Sequence, residues 1–419
     1  MSGLSDRVSL GDRLRFENGS NHAVGEVAAI TPACATVLLE DTAEWLKIGH
    51  AAIYQGAFQL APDDSWIGRI IDANGRPTDG QHLIRGPKNS LIDRPAPAPV
   101  ARRPLGPALA TSFAIFNTVL PIVRGQRVGV FAGSGVGKTS LLAAWAREMQ
   151  ADLVVIALVG ERGRELGEFI SRVLGKKGLA RSIIVAETSD ASALKRRRAA
   201  FTAMAVAEHF RDQGKHVLLL MDSLTRLAEA HREIATTAGE AVAMRGHPPS
   251  LVPLLSSLAE RAGPGTAGQG DITAIFTVLV AGSDMDEPVA DTARGLLDGH
   301  FVLSRDISER GRFPAIDVLQ SVSRALPDAA SDDQNGLIAQ FRNYLALYAD
   351  AEVMVNSGLY QSGIKPETDR AIELFPALDA FCAERERTGI EAAFEKLHQR
   401  LSGPDLAADS KARLPTTST

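Results

Sequence analysis

Residues 132–139 read Ala-Gly-Ser-Gly-Val-Gly-Lys-Thr, which matches the phosphate-binding loop pattern with Ala in place of the first Gly. An apolar run at 127–132 precedes this loop, and a helical pattern at 138–150 follows it. The glycines allow successive backbone N–H groups to point at phosphate oxygens, and the start of the helix adds the positive end of its dipole. The sequence therefore predicts an ATP site and a bound Mg²⁺ ion.

Each residue type in the loop suits one part of this chemistry. Lys138 is expected to reach the β- and γ-phosphates, and the Thr139 hydroxyl is expected to bind Mg²⁺. The residues expected to contact ATP in this segment are Gly133, Ser134, Gly135, Val136, Gly137, Lys138, Thr139 and Ser140.

A second candidate Mg²⁺ ligand ends the apolar run Val-Leu-Leu-Leu-Met-Asp at 217–222. Asp222 fits the carboxylate that follows a buried strand and holds the Mg²⁺ shell in P-loop ATPases. A strand that ends in Asp is also common at a cap or turn, so the phosphate-binding loop is what favours the functional interpretation.

A candidate catalytic carboxylate follows the apolar run at 152–159, where residues 160–165 read Gly-Glu-Arg-Gly-Arg-Glu. Ligands of parallel sheets lie at the carboxyl ends of the strands, which places Glu161 near a γ-phosphate. Hydrolysis needs a group that orients the attacking water. From spacing alone, Glu161 fits this role and the solvated start of a helix equally well.

The middle of the chain alternates apolar strand patterns with helical patterns, which predicts an α/β core with a mostly parallel sheet covered on both faces. The strands are expected at 127–132, 152–159, 216–221, 272–280 and 301–303. The helices are expected at 138–150, 165–174 and 192–210.

The two ends of the chain differ from this core. Short β-rich segments at 24–30, 35–40 and 51–60, with turns at Asn18-Gly19 and Asn74-Gly75, predict a small N-terminal β-barrel or sandwich. Helical patterns occupy 336–356, 368–384 and 390–401. We expect a β domain at 1–93, a Pro-rich linker at 94–107, the ATPase core at 108–345, a helical domain at 346–401 and a disordered tail at 402–419.

The bulk properties exclude several classes of protein. The 419 residues have a net charge of −5, which argues against binding to nucleic acid by overall charge. Two distant cysteines form neither a CxxC metal site nor a disulfide framework. We expect a cytoplasmic protein, since no signal peptide or apolar span is visible. The basic run Lys-Arg-Arg-Arg at 195–198 suits a nucleic-acid or membrane surface, but we interpret it as a solvated helix face.

Several motifs in order resemble the flagellum-specific and type III secretion export ATPases, which are similar to the catalytic β subunits of rotary ATP synthases. The resemblance covers roughly residues 65 to 385. The shared segments are 133–139, 160–165, 221–226 (Met-Asp-Ser-Leu-Thr-Arg), 231–234 (His-Arg-Glu-Ile), 296–300 (Leu-Leu-Asp-Gly-His), 314–317 (Pro-Ala-Ile-Asp), 321–324 (Ser-Val-Ser-Arg), 358–360 and 369–372.

The resemblance implies a fold and a set of residue roles. It implies an N-terminal β-barrel, a RecA-like P-loop core and a C-terminal α-helical domain. Glu161 matches the family's catalytic glutamate, and Arg162 and Arg226 match residues near the γ-phosphate. Arg324 matches an arginine finger that reaches the ATP of the neighbouring subunit. Phe313 matches an aromatic beside the adenine, although a core Phe is the alternative.

The resemblance also implies partners. The family works as a homohexamer with ATP sites between subunits, at the cytoplasmic face of the inner-membrane secretion apparatus. The expected partners are other copies of the chain, a stator-like regulatory protein, a central stalk protein, chaperone–export substrate complexes docked on roughly 346–400 and the export gate at the membrane.

Three functional interpretations remain beside flagellar export. The first is the ATPase of a virulence-type secretion system. The second is a RecA-like hexamer that translocates RNA or DNA, similar to transcription terminators. This class needs a barrel rich in exposed aromatic and basic residues, whereas the N-terminal region has few aromatics. We therefore expect no specific nucleic acid. The third is a structural subunit with impaired catalysis, which would have no need of Glu161.

Overall fold

The structure is a computed structural model that describes Met1, residues 4–280 and residues 284–403. It contains two compact units. The first comprises Met1–Leu105, Arg124–Phe131 and Ala151–Leu297, and the second comprises Gly106–Val123, Ala132–Gln150 and the chain from Asp298 onward. The expected domain boundaries remain predictions. From residue 404 on, the tail expected at 402–419 lies outside the described residues.

The first unit begins with an antiparallel sheet whose strands lie in the order β3-β2-β1-β4. Gly19, with φ 62°, lies in the turn between β1 and β2, as the Asn-Gly pair predicts. Leu14, Phe16 and Val27 point into one apolar core because alternate residues of a strand share a face. The strands of this sheet are β1 (Arg13–Asn18), β2 (Asn21–Ile30), β3 (Ala35–Leu39) and β4 (Ala52–Gly56). A short β5 (Gln59–Leu60) follows outside this sheet.

A second sheet forms the core of the first unit, with strands in the order β8-β13-β11-β9-β10-β6 and β12 beside β13. The pairs β11–β13, β11–β9 and β10–β9 are parallel. Every residue of β11 is buried, as strands covered on both faces require. The strands are β6 (Ile70–Ile71), β7 (Ser90–Leu91, which pairs with β5), β8 (Arg127–Ala132), β9 (Leu153–Glu161), β10 (Ser182–Thr188), β11 (His216–Asp222), β12 (Gly263–Pro264) and β13 (Asp271–Leu279).

Helices connect these parallel strands, as the alternating pattern predicts. The helical pattern expected at 165–174 is a short α-helix that continues as a π-helix over Phe169–Leu174. Ser192 caps the longest of these helices by accepting from the Lys195 N–H. The helices of the first unit are α3 (Gly163–Glu168), α4 (Gly175–Leu179), α5 (Ala193–Asp212), α6 (Leu224–Thr237), α7 (Leu251–Arg261) and α8 (Pro288–Leu296).

The basic run at the start of α5 is not the solvated face that the sequence indicated. Arg198 is only 3% exposed, and its guanidinium donates to Glu26 of β2 and to Glu40, which directly follows β3. Arg197 also contacts Glu26, and Lys195 contacts Asp41. The expectation was wrong because acidic side chains of the N-terminal sheet cover this face of the helix.

The Pro-rich segment at 94–107 contacts the first unit through two arginines. Arg102 donates to the Ala262 carbonyl at 3.0 Å, and Arg103 forms an ion pair with Asp271 at 2.5 Å. A single 3-10 turn occupies Pro99–Ala101. Within 94–105, the segment is therefore fixed by specific contacts of its own arginines, while its prolines prevent longer helix or strand.

The second unit combines the phosphate-loop helix with a hairpin and the C-terminal helices. Phe116 packs on Trp145 and on Phe301, with ring centroids 5.0 Å apart in both pairs. Ser331 and Gln334 form a capping box that starts the longest helix. The elements are α1 (Ala114–Asn117), α2 (Lys138–Glu148), β14 (Gly299–Leu303), α9 (Arg305–Glu309), β15 (Ile316–Ser323), α10 (Asp332–Asn356), α11 (Pro366–Ala383) and α12 (Ile390–Ser402).

These elements confirm the predicted fold class, with an α/β P-loop core, an N-terminal β-structure and a C-terminal helical region. Among the described residues, no helix has the length and apolar character needed to cross a bilayer.

Candidate active site

The phosphate-binding loop lies in the second unit between β8 and α2. Gly135 and Gly137 adopt φ of 80° and 89°, a region that favours glycine and explains why these positions lack side chains. The N-cap position of α2 is Gly137, which has no side chain that could cap the first turn of the helix. The Thr139 residue is exposed, whereas Val136 is buried and anchors the loop. The loop therefore has the backbone donors and the hydroxyl that a phosphate chain with Mg²⁺ requires.

Phe313 lies against this loop within the same unit. Its Cδ1 atom is 3.0 Å from the position that a Cβ on Gly137 would occupy, and the residue is 50% exposed. Arg312, the residue before Phe313, fixes this segment, because its Nη2 donates to the Ile316 carbonyl at 2.7 Å and its Nε lies 3.0 Å from Asp379. Because the ring of Phe313 is half-exposed, this residue is not part of the hydrophobic core. Its position beside the phosphate-binding loop suits contact with a nucleotide.

Glu161 lies in the first unit, at the very end of β9. The pairing of β9 with β10 shifts in register here, so that Thr188 pairs with Glu161 and Gly160 forms a β-bulge with φ 71°. The Ser189 N–H donates to the Glu161 carbonyl at 3.0 Å. Bulges of this kind re-aim side chains beside active sites. The next residue, Arg162, stands at the N-cap of α3 with its side chain 78% exposed.

Asp222 is the last residue of β11 and is 4% exposed. Its Oδ1 accepts from Thr277 Oγ1 of β13 at 2.7 Å, which orients the carboxylate. The described residues include no group of three or more His, Cys, Asp or Glu side chains arranged to hold a metal. One oriented carboxylate is a ligand of the kind that Mg²⁺ takes, because proteins often bind this ion through one or two side chains together with phosphate oxygens and water.

Arg226 lies in the first turn of α6, where the Ser223 side chain caps its N–H at 3.2 Å. Its Nη1 contacts Glu229 at 3.3 Å. Within the described part of the chain, its buried Nε has no hydrogen-bond partner. Buried donors are normally satisfied, so this N–H fits an anionic ligand such as a phosphate group.

Arg324 directly follows β15 in the second unit. Its backbone N–H donates to the Asp298 carbonyl at 3.0 Å, and the neighbouring Ser323 hydroxyl donates to the Pro121 carbonyl at 2.6 Å. The residue itself is exposed. These two contacts fix the backbone at Arg324, while the residue lies at the surface of the chain.

Sequence reasoning missed two supporting residues of the site. Thr277 lies in an apolar strand and orients Asp222, and its polar side chain within that strand was the available signal. Arg312 fixes the segment that contains Phe313, and no local pattern distinguishes it from a surface arginine.

The chain matches two known protein domains, one in its central part and one near its C-terminal end. Residues 112–323 match the nucleotide-binding domain of the ATP synthase alpha/beta family. The chain belongs to this family. Residues 330–399 match the C-terminal domain of the type III secretion ATPase EscN, so the family resemblance seen in the sequence is confirmed.

Relatives of this ATP synthase alpha/beta family member span most of its length. The flagellum-specific ATP synthase of Caulobacter vibrioides is 41% identical over 406 residues, which cover 94% of this chain and 91% of that protein. The flagellum-specific ATP synthase of Pseudomonas aeruginosa is 42% identical over 93% of this chain and 80% of its own length. The SPI-2 type 3 secretion system ATPase of Salmonella typhimurium is 45% identical over 82% and 79%.

The fold also matches solved structures of this family. The assembled ATPase EscN from the enteropathogenic E. coli type III secretion system has a TM-score of 0.88 at 36% identity, covering 94% of this chain and 96% of that one. The chain is thus an ATP-hydrolysing enzyme of the family that contains the flagellar and type III secretion ATPases.

Proposed function

We propose that this chain forms a homohexameric ring that hydrolyses Mg-ATP and energises protein export through the flagellar type III secretion apparatus. The observation that supports this most strongly is the match, over 94% of the chain, with the structure of the assembled ATPase EscN. Flagellum-specific relatives of similar coverage favour the flagellar branch.

In this proposal the phosphate-binding loop holds the nucleotide. Backbone N–H groups at the start of α2 and the Lys138 ammonium bind the phosphates, and Phe313 contacts the base. Thr139 and Asp222 are the Mg²⁺ ligands. When bound, the ion neutralises charge on the phosphate oxygens.

Hydrolysis itself is assigned to groups that act on the water and on the transferring phosphoryl. Glu161 orients and polarises the attacking water. Arg162 and Arg226 stabilise the negative charge that spreads over the phosphoryl oxygens, and Arg324 does so from the neighbouring subunit.

The proposed partners follow from the relatives. EscN has been solved in complex with its central stalk EscO, and we propose that a stalk protein engages this ring in the same manner. We further propose a stator-like regulatory protein, chaperone–export substrate complexes on the helical region around 346–400 and the export gate. The working location is the cytoplasmic face of the inner membrane.

The ATPase of a virulence-type secretion system is the second candidate, because the SPI-2 ATPase is also 45% identical. Deletion of the gene in the source bacterium separates the two. Loss of flagellar filaments supports the flagellar role, whereas intact motility with lost effector secretion supports the virulence role. The rate of ATP hydrolysis should not respond to added RNA or DNA, and a strong stimulation would favour a nucleic-acid translocase.

The replacement Glu161→Gln tests the catalytic assignment. The amide cannot accept a proton from water, so we expect turnover to fall by at least about 100-fold while a fluorescent ATP analogue still binds. Lys138→Ala should instead lose binding. Glu168→Gln is the matched control, because Glu168 is a half-exposed carboxylate of α3 whose ion-pair partner is Arg164. Hydrolysis by Glu161→Gln at the wild-type rate would refute the assignment.

A further inference from the structure

The bulge that presents Glu161 is packed between two arginine side chains of the first unit. Gly160 has φ 71°, and a Cβ built on it would lie 3.3 Å from Cδ of Arg196 and 3.6 Å from Cβ of Arg226. The aliphatic parts of the Arg196 side chain on α5 and the Arg226 side chain on α6 therefore confine the backbone just before Glu161. A bulge lacks regular ladder hydrogen bonds, so its conformation depends on such packing.

Arg196 is itself held in a single position. Its Nη2 donates to both carboxylate oxygens of Glu233 at 2.8 Å, and its Nε donates to the Ala191 carbonyl at 3.0 Å. Its side chain is 12% exposed. A side chain fixed at its head group presents a rigid stem to the residue that it contacts.

Arg196 differs from its neighbours in the basic run. Lys195, Arg197 and Arg198 contact acidic residues of the N-terminal β-structure, whereas Arg196 points to Gly160 and Glu233. One arginine of the run therefore serves the catalytic strand, while the others fasten the N-terminal sheet.

We infer that Arg196 is a positioning residue for ATP hydrolysis: it fixes the Gly160 bulge and thereby the direction of Glu161. The inference rests on the proposed catalytic role of Glu161. Arg196 is not assigned any contact with the nucleotide. It acts through the backbone, and its ion pair with Glu233 on α6 makes the two helices one support for the bulge.

A positioning role predicts a specific kinetic signature. Loss of the Arg196 stem leaves a void beside Gly160, so Glu161 samples other directions and the water is less often aligned. Misplacement by about 1 Å costs up to about 100-fold in rate, so we expect Arg196→Ala to lower kcat by roughly 10- to 100-fold. ATP binding depends on the phosphate-binding loop, so the KM for ATP should change by less than about 3-fold.

Further variants separate loss of the Arg196 stem from loss of the anchor that holds its head group. Arg196→Lys keeps the stem and a positive charge and should retain most of the wild-type kcat. Glu233→Gln removes the anchor of the head group and should give an intermediate loss. The double variant Arg196→Ala/Glu233→Gln should be no slower than Arg196→Ala alone, because both changes remove the same support.

The experiment measures kcat, KM and binding of a fluorescent ATP analogue on the full chain, with circular dichroism to confirm folding. Arg197→Ala is the matched control, since this neighbouring arginine contacts Glu26 instead of the bulge. Arg196→Ala with wild-type kcat overturns the inference, and so does an equal loss in Arg197→Ala. If Arg196→Ala does not fold, wild-type kcat in the stem-retaining Glu233→Gln variant overturns it.

Glu161→Gln is assayed in parallel to separate two failures. If Glu161→Gln is active, the proposed catalytic role fails. If Glu161→Gln is inactive while Arg196→Ala turns over at the wild-type rate, only the inference about Arg196 fails.

Discussion

The ring of Phe313 lies against Gly137 of the phosphate-binding loop, with Cδ1 only 3.0 Å from the position of a Cβ on that glycine. Gly137 has φ 89° and stands immediately before α2. A larger residue at 137 would thus be strained in its backbone and would collide with the ring. The two residues fix the spacing between the phosphate-binding loop and an aromatic surface that is half-exposed.

Replacing Phe313 by Ala is expected to weaken nucleotide binding. Loss of an aromatic contact worth about 1 kcal/mol raises the KM for ATP by roughly 5-fold, with kcat changed by less than about 2-fold. Titration with a fluorescent ATP analogue measures the Kd directly. Phe313→Tyr keeps the ring and is the control, and an unchanged Kd in Phe313→Ala would remove this residue from the site.

Arg198 is expected to stabilise the first unit strongly. Its side chain is 2% exposed and lies between Glu26 and Glu40, so Arg198→Met leaves buried carboxylates with fewer partners. We expect the free energy of unfolding to fall by about 3 kcal/mol. Urea unfolding followed by circular dichroism measures the change.

A surface ion pair gives the matched control for that change. Arg387 contacts Glu148 but is 70% exposed, so Arg387→Ala should cost less than about 1 kcal/mol. Equal shifts of the urea midpoint in the two variants would show that burial of Arg198 adds nothing.

The interior position of Arg198 shows where prediction from the sequence ends. Strands such as β9 and β11 and the phosphate-binding loop follow from local patterns, because burial and glycine geometry act over neighbouring residues. The run at 195–198 has a local pattern too, but its environment is set by Glu40, which is 158 residues away in the chain. No local signal reports such a partner.

Local sequence patterns are limited in the same way at the candidate site. The residue types in the loop identified Lys138 and Thr139, and the end of an apolar strand identified Asp222. The bulge at Gly160, the hydrogen bond from Thr277 to Asp222 and the contact of Phe313 with Gly137 depend on pairing between segments distant in sequence. The sequence could therefore name the chemical groups but not the contacts that orient them.

His216 predicts a pH dependence of stability. Burial lowers the pKa of its imidazole from 6.5 to about 4, with a further lowering by the positive charge of Arg124. Its Nε2 lies 2.8 Å from Thr273 Oγ1 in the interior. The unfolded chain binds the proton at higher pH than the folded chain, so stability is lost as the pH falls from 6.5 towards 4.

Replacing His216 by Gln removes the group whose protonation makes the free energy of unfolding depend on pH. Between about pH 7 and pH 5, the wild type should lose about 2 kcal/mol more unfolding free energy than His216→Gln does. Urea titrations at the two pH values measure the difference. His398→Gln, at an exposed position of α12, is the control and should follow the wild type. Parallel curves for the wild type and His216→Gln would contradict the prediction.

Arg324 is expected to act on the ATP of the neighbouring subunit, which a mixing experiment tests. Arg324→Ala subunits keep an intact phosphate-binding loop, and Lys138→Ala subunits keep an intact arginine, so each is inactive alone. In a ring that combines the two, an Arg324→Ala site beside a Lys138→Ala neighbour has both groups. Random mixing in equal amounts completes roughly a quarter of the sites, since each of two adjacent positions must hold the right variant.

Recovery of ATP hydrolysis on mixing would show action between subunits, provided that none is recovered when the double variant Lys138→Ala/Arg324→Ala replaces either partner. If mixed rings form but stay inactive, Arg324 is not a finger in trans. If Arg324→Ala alone retains wild-type turnover, the arginine has no part in the chemistry.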